Sequence, residues 1–84
     1  MIYSVRETKS GYFVDAKDDS GVLCGTYLVT KSRNKFTCSC EQFQRTKNMY
    51  NHIHILVVKK WLESNKPEYA RYFKDNNGKL EMLI

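Results

Sequence analysis

Lys35-Phe36-Thr37-Cys38-Ser39-Cys40 and, after an eleven-residue interval, His52-Ile53-His54-Ile55-Leu56-Val57-Val58 are the two segments from which the rest of this chain can be read. They place two thiols and two imidazoles within 17 positions of an 84-residue protein. Zinc takes four ligands of this kind in a closed tetrahedral structural site. A chain this short buries little apolar surface, so a metal crosslink would hold a fold that its core alone holds weakly. The single residue between the cysteines suits an extended strand, where side chains alternate with period two and both thiols share a face. Lys35 to Cys38 reads as that strand. The same gap between the histidines rules out a shared helix face, because positions two apart lie about 200° round the axis. His52 is therefore expected at or just before a first helical turn, with His54 inside it. The metal then sits at the helix N-terminus, where the positive end of the helix dipole favours anionic sulfur.

Working outward, the pattern is strands first and helices after. Ile2 to Thr8 and Tyr12 to Ala16 flank Lys9-Ser10-Gly11, a hairpin signal. Asp18-Asp19-Ser20-Gly21 is a second turn, rich in residues that bond their own backbone. Val22 to Thr30 is a third strand, interrupted by Gly25, and Lys31-Ser32-Arg33-Asn34 turns into the fourth. This predicts an antiparallel meander. A helix is expected from Asn51, available as N-cap, to about Ser64, with Ile53, Val57, Val58, Trp61 and Leu62 at helical spacing. Alternation at His52, His54, Leu56 and Val58 also suits a strand, which the β-branched residues favour; the length of the run favours the helix, and so does the family that the ligand spacing resembles. Asn65-Lys66-Pro67 is a break. Pro67 suits the first position of a short second helix running to about Asp75, ended by Asn76-Asn77-Gly78. Lys79 to Ile84 reads as a last strand or an ordered tail, whose Leu80, Met82 and Ile84 would add to the sheet edge or make a dimer contact. The expected class is α+β in a single domain, residues 1–84: a small antiparallel β-meander, a zinc-capped helix, a short second helix and a C-terminal strand.

Cys38-x-Cys40, a basic loop, then His52-x-His54 opening a helix resembles a SWIM-type zinc finger, whose pattern is C-x-C, a variable spacer, and C-x-H at a helix start. The resemblance spans about residues 27–62 and includes Tyr27-Leu28-Val29 and Cys38-Ser39-Cys40-Glu41-Gln42-Phe43. The family's third cysteine falls on His52; imidazole also binds zinc, so four ligands remain and three thiolates become two. Residues 65–84 extend beyond the family's minimal finger. The resemblance implies one structural zinc per chain on Cys38, Cys40, His52 and His54. It also implies a DNA or protein partner, as SWIM domains are thought to have. Cys24, in Val22-Leu23-Cys24-Gly25, reads as an ordinary buried core cysteine. Cys24 or a water is the stand-in should His52 not ligate. A Cys38–Cys40 disulfide is disfavoured by the strain of so short a bridge.

Charge is the second signal. The chain carries 14 basic and 9 acidic side chains, net +5. Residues 31–60 hold Lys31, Arg33, Lys35, Arg45, Lys47, Lys59 and Lys60 against Glu41 alone, net +6. The metal region is thus the basic region. A positive patch beside Phe43 and Tyr50 suits a polyanion, so nucleic acid is the expected partner, DNA first. Lys59 and Lys60 are only partly opposite the expected core positions 57, 58, 61 and 62. The alternative is a protein-interaction module or homodimer with purely structural zinc, for which Tyr69, Tyr72 and Phe73 are candidate anchors. Catalysis is not expected, because four protein ligands close the metal shell and the deaminase pattern of H-x-E with P-C-x-x-C is absent. No run approaches 18 apolar residues, so no membrane span is expected. Met1 to Arg6 lacks the layout of a secretory signal. An odd cysteine count argues against a secreted disulfide framework, and an intracellular setting with reduced thiols is expected.

Overall fold

A computed structural model of the protein describes residues 1–47, 52–68 and 70–83. Its elements are β1 (Ile2–Thr8), β2 (Gly11–Lys17), β3 (Leu23–Ser32), β4 (Lys35–Cys38), α1 (Glu41–Thr46), α2 (Ile53–Glu63), β5 (Arg71–Lys74) and β6 (Leu80–Leu83). The strands form one antiparallel sheet in the order β4-β3-β2-β1-β5-β6. The chain lays down β1 to β4 as a meander, crosses the sheet through α2, and adds the β5–β6 hairpin on the far side of β1. The α+β class and the meander agree with the sequence.

Local chemistry sets each turn. The Thr8 hydroxyl accepts from the Ser10 N–H and donates to the Gly11 carbonyl, closing the β1–β2 hairpin. Gly11 is needed there, because its φ is +143° and a Cβ would lie 2.6 Å from the Val29 carbonyl oxygen. In the next turn the Asp18 carboxylate accepts from the Ser20 and Val22 N–H groups, at 2.9 and 3.0 Å. A β-bulge follows. Ala16 pairs with Gly25 but Lys17 pairs with Leu23, which leaves Cys24 as the extra residue. Arg33 takes a left-handed φ of 57° in the two-residue loop between β3 and β4.

One face of the sheet is covered by α2. His54, Val57, Val58 and Trp61 recur at helical spacing and are buried against it, as is Ile55. Cross-strand rows Val5–Val14–Tyr27 and Tyr12–Val29–Cys38 supply the sheet's half of this core. Each fully buried Val or Ile stabilises the fold by roughly 1.5–3 kcal/mol. The opposite face carries no helix among the described residues. It is tied by Arg6 to Asp15 at 3.1 Å and by Thr26 to Asp15 at 2.8 Å.

Three expectations are corrected. No helix runs from Pro67 to Asp75: Arg71–Lys74 is a strand, paired to β1 through Ile2↔Phe73 and Ser4↔Arg71. The first half of β1 has an open edge, and the alternation of Tyr72 inward with Phe73 outward fits a strand that fills it. Pro67 instead supplies its carbonyl to the Trp61 indole N–H at 3.0 Å. The segment expected as a loop between the ligand pairs contains the short helix α1. Finally, Tyr72 is fully buried and cannot be a docking anchor. Asn51, the expected N-cap, lies outside the described residues, as do Tyr50, Tyr69 and Ile84.

Candidate metal centre

The centre is assembled where β4 ends. The ladder closes at Ser39, whose N–H donates to the Leu28 carbonyl while its hydroxyl oxygen accepts from the Leu28 N–H, both at 2.9 Å. The chain stays extended through Cys40, at φ −72° and ψ 156°, so the inward alternation of Phe36 and Cys38 carries on to Cys40. Cys40 is then the N-cap of α1, and its sulfur accepts from the Phe43 N–H at 3.4 Å. Gln44, one turn into α1, donates its side-chain amide to the Cys38 carbonyl at 2.9 Å and ties helix to strand. Across the site, His52 is the N-cap of α2 and His54 lies in its first turn. This is the placement that the one-residue gap requires.

The four ligand atoms converge. Cys38 Sγ is 3.5 Å from His54 Nδ1, Cys40 Sγ is 3.0 Å from His52 Nε2, and the two imidazole nitrogens are 3.1 Å apart. All four lie within 4.8 Å of one another. A tetrahedral zinc with bonds of about 2.3 Å to sulfur and 2.05 Å to nitrogen sets S···N near 3.6 Å and N···N near 3.3 Å. The Cys38–His54 and His52–His54 separations lie within about 0.2 Å of these values and Cys40–His52 is about 0.6 Å shorter, so small side-chain adjustments would bring the four onto one tetrahedral ion. The most exposed of the four, His54, retains 8% of its surface, so the shell is closed.

Aromatic walls hold the imidazoles. His54 is stacked on Tyr27, with ring centroids 4.2 Å apart and planes 19° apart, and Tyr3 meets it edge-on at 5.9 Å. Phe43 meets His52 edge-on at 5.6 Å. Gly25 leaves room for this: a Cβ there would stand 2.5 Å from the Tyr27 hydroxyl, so the Tyr27 ring lies over bare backbone. Neither Tyr3 nor Tyr27 was legible as a site residue. Tyr27 stands in the stretch that carries the family resemblance, but that both rings share a face with Cys38 requires the sheet register.

Burial governs protonation. It pushes the Cys38 thiol up to about 12; the Cys40 backbone N–H pulls against the rise, while the Cys40 thiol adds to it. Burial, then the charge of His52, draws His54 down to about 4, and burial lowers His52 as well. The interior thus favours neutral imidazoles, which is their ligating form. It opposes thiolates unless a cation joins them, and a dication balances the charge of two.

Cys24 does not belong to the centre. It is exposed at the bulge, with its thiol 3.6 Å from the Val22 carbonyl, so both the buried-core reading and the stand-in role are corrected. The extra residue of a bulge has no cross-strand partner to cover it.

The basic residues fall into two groups. Lys31, Arg33 and Lys35 are exposed on the β3–β4 hairpin, with Lys31 two and Lys35 three strand steps, roughly 7 and 10 Å, from the Cys38 row and Arg33 in the loop beyond. Lys59 joins them: its Nζ and that of Lys31 lie 5.3 and 5.5 Å from the centre of the Phe36 ring. Arg45, in the last turn of α1, and Lys47, its C-cap, form the second group. Arg45 is paired with Glu41 at 2.6 Å, and Lys47 donates to Gln44 at 2.9 Å. Lys60 is half-buried, next along α2.

Compared with protein-family models, curated proteins and solved structures, the chain matches none. Among the described residues, no helix is long and apolar enough to cross a membrane.

Proposed function

We propose that the protein is a zinc-binding module with a purely structural ion, and that it binds nucleic acid, duplex DNA first, through the basic surface flanking the metal centre. The observation that carries the first half is the closed, buried convergence of Cys38, Cys40, His52 and His54. Two thiolates and two imidazoles in tetrahedral array are donors that zinc prefers. The ligand spacing resembles the SWIM pattern, with His52 in place of a cysteine. A catalytic zinc keeps an open position, and four protein ligands leave none, so no enzymatic role is proposed.

Support for the second half is the charge around the centre. Lys31, Arg33, Lys35 and Lys59 cluster at the hairpin, with Arg45, Lys47 and Lys60 as lesser contributors. About four or five phosphate contacts give a log–log salt slope near −4 on duplex DNA, from about −0.9 per contact. The test is duplex binding against salt for the wild type and for Arg33→Ala combined with Arg45→Ala, both confirmed folded and metal-loaded. The double variant is expected to flatten the slope by about one to two contacts, since Arg45 is paired with Glu41. Binding identical to wild type would show that the basic surface is only solvated. If the wild type binds neither duplex nor single strands, the protein-interaction reading replaces this one.

A further inference from the structure

The two edges of the sheet are treated differently. At β4 the Cys38–Val29 pair lies between hydrogen-bonded pairs, because Ser39 and Leu28 bond each other. The Cys38 carbonyl therefore faces outward, and it is occupied by the Gln44 amide. Helix α1 packs beside this edge, and Lys35 adds a charge to it. Both are devices that shield a strand from further pairing.

The β6 edge has no such cover among the described residues. The Asp75 N–H donates to the Lys79 carbonyl at 2.9 Å, which fixes Asp75–Lys79 as a hydrogen-bonded position of the β5–β6 hairpin. Bonded positions alternate along an antiparallel pair. Glu81 and Leu83 are thus bonded to Phe73 and Arg71, while the N–H and C=O groups of Leu80 and Met82 point away from the sheet. The strand reads Leu-Glu-Met-Leu, with no lysine, proline or bulge to blunt it. A second observation falls on the same corner. Leu83 is exposed on the uncovered sheet face, beside half-buried Phe73 and Ile2, with exposed Met1 next to them.

We propose that β6 is a dimerisation edge, on which two copies of this chain pair antiparallel about a two-fold axis at Met82 and continue the sheet. The strand is self-complementary in that register. The Met82 N–H of each copy meets the Met82 carbonyl of the other, and Glu81 stands opposite Leu83 of the partner subunit. A two-fold at Glu81 would instead set two carboxylates face to face, which is unfavourable. Assembly through this edge stops at two copies, because the isologous contact uses the β6 edge of both and is closed; β4, at the opposite end of the sheet, is shielded. Four residues bury well under the roughly 1,200 Å² of a standard interface, so the dimer is weak, with a Kd on the order of 10⁻⁵–10⁻⁴ M.

The test uses the full, zinc-loaded chain in sedimentation equilibrium from about 10 µM to about 1 mM, a range that brackets this Kd. A monomer–dimer equilibrium is expected. Hydrogen exchange of the Leu80 and Met82 amides should slow with rising concentration, while the Glu81 and Leu83 amides, already bonded to β5, should not change. Leu83→Glu places like charges opposite each other twice by symmetry and is expected to weaken the dimer roughly tenfold. Leu83→Lys faces Glu81 and should leave it within about threefold of wild type. Both substitutions are on an exposed position, so folding is retained and is checked by metal content. A chain monomeric throughout overturns the proposal, as does exchange at Leu80 and Met82 that ignores concentration. Equal effects of the two Leu83 variants overturn it as well, since they indicate a general apolar contact instead of this pairing. None of these outcomes depends on nucleic-acid binding.

Discussion

Lowering free zinc should destabilise this protein by a fixed increment per decade. One ion held by one closed centre makes the unfolding free energy depend on RT ln(1 + [Zn]/Kd). For a single site that is about 1.4 kcal/mol per tenfold change in free zinc, for as long as free zinc exceeds the Kd. The expected stoichiometry is one, since the four ligand atoms lie within 4.8 Å of one another and form a single cluster. The structure also says why the coupling is global. Cys38 ends the β4 strand, Cys40 caps α1, and His52 and His54 begin α2, so an ion held by the four would join three elements. Four decades of zinc buffering then span about 5.6 kcal/mol, which is comparable with the roughly 5–15 kcal/mol of a whole domain. The assay is urea unfolding in zinc-buffered solutions, followed by the fluorescence of Trp61, the sole tryptophan and a buried one. The midpoint should move linearly with log free zinc while the m-value holds steady. A midpoint independent of zinc across those decades would refute the structural role, and a slope of twice the expected size would refute the single ion.

Ligand exchange should separate the cysteines: Cys38→Ser, Cys40→Ser and His54→Ala each abolish tight metal binding, whereas Cys24→Ser leaves metal content at one per chain by mass spectrometry. His52→Cys should retain the ion, because sulfur replaces nitrogen in a four-ligand shell, and failure to do so would show that the His52 ring is needed for more than its donor atom. Acidification should destabilise the fold. His54 is held down to about 4 by burial and then by His52, while an unfolded histidine titrates near 6.5. Between those values the unfolded chain binds protons that the folded chain does not, so stability falls as pH drops. Loss of the ion as its ligands protonate acts in the same direction, and a urea midpoint level from pH 7 down to about 4.5 would contradict this. Tyr72→Phe should be neutral or stabilising by up to about 1–2 kcal/mol in chemical denaturation. The Tyr72 hydroxyl is buried and meets no partner at hydrogen-bond geometry among the described residues; the nearby Ser64 hydroxyl donates to the Lys60 carbonyl.

The sequence by itself determined what depends on neighbours a few positions away. The turns at Lys9-Ser10-Gly11 and Asp18 to Gly21, the alternation of Phe36, Cys38 and Cys40, and the apolar spacing of α2 are local rules of strand, turn and helix. Once the segment is read as a helix, on its length and on the family it resembles, helix geometry puts His52 before it and His54 inside it, and the structure has both there. Tertiary structure decided whatever depends on a distant partner. Arg71 to Lys74 is a strand only because β1, some 70 residues earlier, offers an edge for it to pair with. Cys24 is exposed only because the register of β2 against β3 slips by one residue at Ala16. Helix α1 forms where the Cys40 sulfur and the Cys38 carbonyl take its Phe43 and Gln44 donors, and both of those acceptors belong to the metal centre. The stacking of Tyr27 on His54 needs the sheet register and the bare backbone at Gly25 together. Spacing along a chain fixes which side chains can share a face; which faces then meet is set by packing, and packing energies belong to pairs that sequence distance does not reveal.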